Sequence, residues 1–470
     1  MADFLARTVN HILLDSTAAP PLRRLPELDV VGFFSITYAD PALALDRLVI
    51  KSGGTWPPSP TFDSSWPPPL RVYHTAYEIF APFFPVLQSS VCDTENRCTI
   101  DAMRARIRGL LSEDPALHAY GCSVDMPSVV NILTAAQVGC WTGYDDQTMQ
   151  SAILGFCACV SFLRLAYRWG VSPVVREAQM ETSVSFPPEL DEPWLLLQRF
   201  LGFTSPGGGL STCLYFNTRG VDTNFKPFYS SVHGLPHLHQ KTADWDARLF
   251  LESLPMYRLL ASTVSACTSF TREHPLTALT SLKEANTIFQ STSRFFFENM
   301  KDANISHTLW LAYLQGYTGW ALPGPDGNII SGVSGGQSLT IRTLDAFLGI
   351  RPFPQPAEEA LYLPLAQRDW LQSLREACFN IVATSAGAPD NISTDFWLEM
   401  QNELQKMVQQ LRLWRMGHMN CMVPYEAVHR PERVFMTAGL SIPPEGEVSD
   451  ETGMVEHLKE GLRERLKATI

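Results

Sequence analysis

The sequence predicts an all-α fold for this chain of 470 residues. Apolar residues recur with helical periodicity over most of its length. Strand signals are few and isolated, and the strand–helix alternation of an α/β protein is missing. The sequence contains no visible repeat with a period of 20–50 residues, so it does not indicate a solenoid. Because the chain is too long for one ordinary hydrophobic core, we expect two domains.

We divide the chain into three parts. Residues 1–240 form a small N-terminal domain, loop- and proline-rich, in which the prolines of 17–72 permit only short helices and 172–240 is again rich in loops. Residues 241–442 form a large helical domain, and 443–470 a charged linker with a C-terminal helix. Beyond a helical pattern that begins near Tyr73, the predicted helices are 101–111, 126–138, 146–169, 244–268, 275–300, 304–317, 338–349, 365–384, 394–423 and 454–466.

The net charge limits the partners that we expect, and the cysteine pattern indicates the cellular compartment. A net charge of −12 argues against nucleic-acid binding and against an anionic membrane surface. Ten cysteines without a CxxC motif are typical of reduced cytosolic thiols. The start of the chain lacks the pattern of a signal peptide. The most apolar stretch, 151–167, contains Arg164 and is interpreted as too short and too polar to span a bilayer. We therefore expect a cytoplasmic protein.

The helix predicted over 394–423 is the best-defined element. Ser393 or Thr394 can cap its amino terminus, and Asp395 favours its first turn. Pro424 is expected to stop the helix. The helical spacing places His418 on the buried stripe, with Arg415 one turn before it on the same face.

These two residues indicate a cofactor. A buried neutral imidazole can bind a metal, and a buried arginine needs an anion as its partner. Together they suggest haem, with iron on His418 and a propionate on Arg415. The alternative is a histidine of the core with an ordinary hydrogen bond.

A glycine-rich run supports a rival hypothesis. Residues 332–336 match the G-x-S-x-G pattern of a nucleophile elbow, with Ser334 as the nucleophile. An elbow needs a preceding core strand in a parallel sheet, whereas 327–331 is short, polar and bounded by turns. The simpler interpretation is a loop that caps the next helix, whose backbone N–H groups can also bind an anion.

Three other motifs favour structural roles. His233, His237 and His239 look like a metal tract, but no cysteine or carboxylate joins them at zinc-ligand spacing, and loop histidines are usually solvated. The glycine run 205–209 lacks the lysine of a phosphate loop and is interpreted as a turn. Cys157 and Cys159 are assigned to the core.

Several segments resemble the indoleamine 2,3-dioxygenase family, in the family's order, over residues 245–425. Ser331-Gly-Val-Ser-Gly-Gly-Gln-Ser-Leu-Thr-Ile-Arg-Thr-Leu-Asp-Ala-Phe-Leu-Gly-Ile350 is similar to Gly-Gly-Ser-Ala-x-Gln-Ser-Ser…Phe-Asp-x-x-Leu-Gly-Ile. Tyr362-Leu-Pro-Leu-Ala-Gln-Arg368 resembles Tyr-Met-Pro-Pro-Ala-His-Arg, and Gly316-Tyr-Thr-Gly-Trp320 resembles Leu-Ser-Gly-Trp. Leu413-Trp-Arg-Met-Gly-His418 matches Leu-Arg-Ser-Tyr-His if the arginine stands three residues before the histidine.

The resemblance implies haem b between a small domain and a large helical domain. His418 would be the proximal iron ligand, Arg415 a propionate partner, and Asp345 an aspartate close to the proximal histidine. Ser334 would also contact the haem, from a loop over its distal face. The implied distal pocket consists of Leu249, Phe250, Ser253, Leu309, Trp310, Leu314, Ser334 and Gly335. In this family no acid–base residue is essential, because the haem supplies the redox chemistry.

One position departs from the family pattern. The arginine of Phe-Phe-x-x-x-Arg, which holds the substrate carboxylate, corresponds to Leu314. Loss of that contact would cost about 1.5–3 kcal/mol. We therefore expect an indole without a free carboxylate rather than free tryptophan as the substrate.

The expected activity is the addition of O₂ across the indole C2–C3 bond. The expected partners are a small-molecule indole, O₂ and an electron donor that keeps the iron ferrous. Three alternatives stay open: a divergent haem oxygenase of secondary metabolism with a different oxidation outcome, a haem-binding protein without catalysis, and a serine hydrolase that uses Ser334.

Overall fold

A computed structural model describes most of the helical parts of the chain. The described residues are 41–51, 66–80, 90–112, 124–137, 143–170, 180–209, 274–299, 319–323, 329–332, 337–351, 356–384, 393–426, 451–467 and 469. The predicted helices 244–268 and 304–317 lie outside the described residues, as does the predicted domain boundary at 240. The division into domains therefore stays a prediction.

The described part of the chain has an all-α fold, as predicted, with one small hairpin. Its helices are α1 (Pro41–Asp46, continued by the π-helical turn Arg47–Lys51), α2 (Pro68–Phe80), α3 (Asp93–Leu111), α4 (Met126–Gln137), α5 (Asp146–Trp169), α6 (Pro188–Leu201), α7 (His274–Asn299), α8 (Leu339–Leu348), α9 (Pro356–Tyr362), α10 (Leu365–Thr384), α11 (Thr394–Glu426) and α12 (Glu451–Lys467). Strands β1 (Gly319–Pro323) and β2 (Ile329–Gly332) pair in an antiparallel arrangement.

The first hydrophobic core is built around α5. Its residues from 151 to 170 are all buried, and it packs against α2, α3 and α6. Asp145 caps the helix by accepting a hydrogen bond from the Thr148 amide, and Gly170 ends it with a φ of 61°. Cys157 and Cys159 are buried free thiols in this core, as predicted.

The second core contains the helices that hold the candidate site. It joins apolar residues of α1, α7, α8, α10 and α11, with Trp370 and Leu344 fully buried at its centre. All ten residues of α8 are buried, so this short helix is enclosed on every side. Ala44, Leu45 and Leu48, which precede the first core in the chain, belong to this second core.

The hairpin and the glycine run 205–209 lie where the two cores meet. Trp320 of β1 packs with Leu165 of α5 and with Tyr362 of α9. The amide of Ser205 donates to the Leu361 carbonyl at 2.7 Å. A Cβ at Gly207 would overlap the Trp320 ring, so the glycine is required by close packing. The predicted turn at 205–209 is confirmed, and it is a tightly packed one.

Most predicted helices are confirmed within a few residues, but three details were wrong. Helix α6 lies in a region expected to be loops, because Pro188 occupies the first helical position, where a missing N–H costs nothing. Helix α3 begins eight residues before the predicted start at 101, with Asp93 in its first turn. Helix α11 continues two residues past Pro424, where only one terminal hydrogen bond is lost.

One described helix is long and apolar enough to cross a membrane. The stretch Thr148–Trp169 passes by length and composition, so the interpretation of 151–167 as too short was wrong. Within the protein, 94% of its apolar window is buried. A buried core helix passes the same test, which makes the finding weak evidence for a membrane span.

Candidate functional site

Helix α11 is positioned by its amino-terminal cap and by α7. The Ser393 hydroxyl accepts a hydrogen bond from the Phe396 amide at 3.3 Å, which confirms the predicted cap. Asn286 of α7 donates to the Glu403 side chain at 3.0 Å, and farther along both helices Phe296 meets Trp414. The contacts follow the same order on the two helices, so α7 and α11 pack in parallel.

The His418 ring lies in an aromatic environment. It stacks on Trp414, with ring centroids 4.9 Å apart, and on Phe296 of α7 at 5.7 Å. The residue as a whole keeps intermediate exposure. Burial, together with the positive charge of Arg465, lowers the pKa of His418 to about 4. At neutral pH the imidazole is therefore uncharged, which is the form that binds metals.

The ring nitrogens of His418 have no protein partner in the part of the chain that the structure describes. Among the described residues, none forms a hydrogen bond with either nitrogen. A histidine with a purely structural role in a core usually has such a partner. A ring nitrogen without a protein partner can bind water or a metal ion.

Arg415 pairs with a carboxylate of the protein, whereas the sequence led us to expect a propionate. Its Nη2 donates to both carboxylate oxygens of Asp345, at 2.6 and 2.7 Å. The side chains are only 11% and 7% exposed, so the pair is largely shielded from water. Burial raises the pKa of Asp345, and the positive charge of Arg415 opposes that rise.

The ion pair belongs to a larger buried network on α8. Arg342 pairs with Glu359 of α9, and Arg375 of α10 binds the same carboxylate at 2.5 Å. The positive charges of Arg342 and Arg375 also oppose the rise in the pKa of Asp345. Asp345 and Glu359 thus bind Arg342, Arg375 and Arg415 in this network.

Helix α12 covers the other face of Arg415. Arg415 Nη1 donates to the hydroxyl of Thr469 and, at 3.4 Å, to the carbonyl of Arg465. The Thr469 hydroxyl in turn donates to that carbonyl at 2.9 Å. Thr469 is 2% exposed, so this contact is closed to solvent.

Only three of the predicted site residues fall on described residues. The structure brings Asp345, Arg415 and His418 together on α8 and α11. The remaining predicted site residues lie outside the described residues, namely Leu249, Phe250, Ser253, Leu309, Trp310, Leu314, Ser334 and Gly335. The histidines at 233, 237 and 239 also lie outside them.

The strand before Ser334 was not expected. Residues 329–332 form β2, and Ile330 is 6% exposed. The stretch was interpreted as too polar for a core strand, but its two isoleucines supply enough apolar surface for a hairpin. The described strands nevertheless form a two-stranded antiparallel sheet rather than the parallel sheet of an elbow.

Sequence reasoning missed the residues that surround Arg415 and His418 from other elements. Thr469 and Arg465 of the α12 region carry no motif, and only the charged, amphipathic pattern of 454–466 pointed to a helix there. Phe296 was assigned to the core without a specific partner. A contact between residues so far apart in the chain leaves no periodic signal in the sequence.

The described residues fit the proximal side of a haem. His418 offers an uncharged nitrogen that has no partner among the described residues, and Arg415 one turn before it is a side chain of the type that binds carboxylates. Iron in haem needs one protein ligand, so the lack of a cluster of three His, Cys, Asp or Glu side chains among the described residues does not argue against it. The Nη1 and Nη2 atoms of Arg415 already donate hydrogen bonds to groups of the protein.

No protein-family model matches the chain, and no curated protein matches it.

Proposed function

We propose that this protein is a haem-dependent oxygenase that resembles the indoleamine 2,3-dioxygenases. The observation that carries the proposal is His418, an uncharged imidazole without a hydrogen-bond partner among the described residues, one turn from Arg415. The sequence segments that resemble the family supply the reaction type, since they include this helix and the segment that carries Asp345. Haem bound on His418 would supply the redox chemistry for adding O₂ across the indole C2–C3 bond.

The surrounding residues would orient the ligand and keep it neutral. Trp414 and Phe296 restrict the rotation of the His418 ring by stacking on it. The charge of Arg465 disfavours protonation of the imidazole. The Asp345–Arg415 ion pair fixes α11 against α8, so that the imidazole is held in one orientation before the cofactor arrives.

Leu314 directs the choice of substrate. In the family pattern an arginine at this position holds a carboxylate, and a leucine offers no charge-assisted contact. An apolar side chain suits a capped or peptide-bound tryptophan, whose carboxyl group is already neutral. We propose that class of indole, with a separate electron donor that keeps the iron ferrous.

The test is turnover by the haem-loaded protein under ¹⁸O₂. We expect N-acetyltryptophanamide to give a product with two labelled oxygen atoms, at a higher kcat/KM than free tryptophan. One labelled atom would instead support the divergent oxygenase with a different oxidation outcome. Tight haem without turnover of any indole would support a haem-binding protein without catalysis.

The serine hydrolase is the second candidate function. One observation favours it: β2 ends at Gly332, two residues before Ser334, so a strand does precede the candidate nucleophile. Reaction with a fluorophosphonate probe tests this candidate directly. Labelling of the wild type that is lost in Ser334→Ala, in a protein that binds no haem, would replace the oxygenase proposal.

A further inference from the structure

A buried polar pair joins α7 to α11 within a seam of mostly apolar side chains. The side-chain amide of Asn286 donates at 3.0 Å to the main-chain carbonyl of Glu403 and, at the same distance, to its carboxylate. Asn286 is 5% and Glu403 is 6% exposed, so both hydrogen bonds are shielded from water. A main-chain carbonyl cannot rotate away as a side chain can, so the first bond ties Asn286 to one level of the α11 axis.

The apolar side chains of the seam do not define that level. Phe289 follows Asn286 by three residues and Met407 follows Glu403 by four, and both are buried in the second core. Apolar contacts have no preferred direction, so these side chains can repack after a small displacement of α7. In parallel helix pairs a single buried asparagine specifies the register, at some cost in stability.

The polar side chains two turns farther along do not define the level either. Ser293 and Gln410 each follow a member of the polar pair by seven residues, which places them at the same level of the seam. Their Oγ and Oε1 atoms are buried, and neither atom has a hydrogen-bond partner in the described part of the protein. A register set by these groups would let them bond to each other. That they do not agrees with a register set at Asn286.

The imidazole ring of His418 depends on this register. Two rings stack on it: Trp414 lies on α11 and moves with the histidine, whereas Phe296 belongs to α7. Phe296 lies ten residues after Asn286, which is about 15 Å along the helix axis. A shift of α7 along α11 would carry the Phe296 ring past the imidazole and change the stacking geometry that both rings prefer.

We propose that Asn286 is a positioning residue for His418, which fixes the plane of the imidazole ring through Glu403 and Phe296. The role of this plane in iron binding rests on the proposed function, whereas the positioning itself is a property of the protein without haem. Groups that orient a ligand residue determine how it meets its metal. With Asn286 in place the imidazole is presented in one orientation, and without it in several.

Replacing both members of the pair separates a positioning role from a contribution to stability. Asn286→Leu/Glu403→Met substitutes apolar side chains of similar size, and we expect the unfolding free energy to be unchanged or higher, as when other buried polar pairs are replaced. We nevertheless expect the His418 ring to lose its single orientation. In the protein without haem, its ¹³Cε1 resonance, assigned by its loss in His418→Ala, should shift or split.

The matched control is the exposed pair between the same two helices. Lys283 and Glu399 form an ion pair at 2.6 Å, one turn before Asn286 and Glu403, with both side chains close to half exposed. Such pairs contribute little to stability. Lys283→Met/Glu399→Gln should therefore leave the His418 resonance unchanged.

The same proteins are then loaded with haem and compared by EPR of the ferric state, whose g values report the plane of an axial imidazole. We expect one set of g values in wild type and control, and broadened or multiple sets in Asn286→Leu/Glu403→Met. An unchanged His418 resonance in that variant overturns the positioning role, and a changed resonance with identical g values overturns its effect on the iron. Asn286→Ser, which adds no bulk, decides the question by the same resonance if the double variant does not fold. A wild type that binds no haem overturns the proposed function, whereas the resonance still tests the positioning.

Discussion

Arg415 and Asp345 form a largely buried ion pair with two hydrogen bonds that joins α11 to α8. The two residues are 70 positions apart in the sequence. Because His418 is one turn farther along α11, the pair also determines how the imidazole is presented. The same arginine is the contact point of α12, so three elements meet at one side chain.

Arg415→Ala should weaken haem retention. The substitution leaves Asp345 without its main partner and, in the proposed haem complex, would leave a cofactor carboxylate unpaired. Loss of one member of a buried pair costs about 3–5 kcal/mol. We expect a haem Kd at least tenfold higher in a Soret titration, and a lower Tm. Arg412→Ala, at an exposed position on the same helix, is the control. Unchanged haem content in Arg415→Ala would remove the arginine from the cofactor site.

Gly417 permits the close approach of α7 beside His418. A Cβ at this position would overlap the far end of the Phe297 ring. Gly417→Ala should therefore lower the stability, since overpacking costs about 1–3 kcal/mol, more than the gain of about 1 kcal/mol in helix propensity. In a Phe297→Leu background the clash is relieved, and the same substitution should become stabilising. Urea unfolding of the four proteins measures the sign, and additive effects would contradict the contact.

Glu181 stabilises the first core at pH values above the pKa of its carboxyl group. Partial burial raises the pKa of this carboxyl group, but hydrogen bonds from Arg104 and Arg97 outweigh that effect and lower the pKa overall. It also forms an ion pair with Arg168, whose side chain is fully buried. Glu181→Gln should cost about 3 kcal/mol or more at pH 7.

The pH dependence of this cost follows from the direction of the shift. A carboxylate with a lowered folded-state pKa binds fewer protons than it does when unfolded, so its stabilisation is complete above pH 4.5 and is lost as the pH falls through the folded-state value. The difference in unfolding free energy between wild type and Glu181→Gln should shrink below about pH 4.5. Glu284→Gln, at an exposed position, controls for general acid effects. A difference that stays constant down to pH 3 would be inconsistent with the ion pair.

Leu314→Arg should change the preferred substrate. The substitution restores the arginine of the family pattern and provides a partner for a free carboxylate. We expect kcat/KM for free tryptophan to rise at least tenfold relative to N-acetyltryptophanamide, since such a contact contributes about 1.5–3 kcal/mol. Leu314→Met is the control for side-chain size. An unchanged preference would mean that another residue sets the substrate class.

The sequence predicted the elements of the site better than their contacts. Periodicity located α11 and placed Arg415 and His418 on one face, and the requirement of a buried arginine for an anion was met by Asp345. The periodic signal describes one helix at a time. It therefore could not reveal that Phe296 stacks on His418 or that Thr469 covers Arg415, because those contacts depend on how separate helices pack.

Prolines caused two of the errors in the predicted fold. Pro188 and Pro424 were treated as breaks, although a proline at the first position or near the end of a helix removes little hydrogen bonding. The hairpin was missed because a strand of four residues is too short for a clear alternating pattern.

The absorption spectrum of the protein produced with haem supplied tests the central claim most directly. Wild type, His418→Ala and His74→Ala should be compared, since His74 is a partly buried histidine in the first core. We expect a strong Soret band for wild type and His74→Ala that is lost or displaced in His418→Ala. A folded wild type without a Soret band, or an identical band in His418→Ala, would contradict iron ligation by His418.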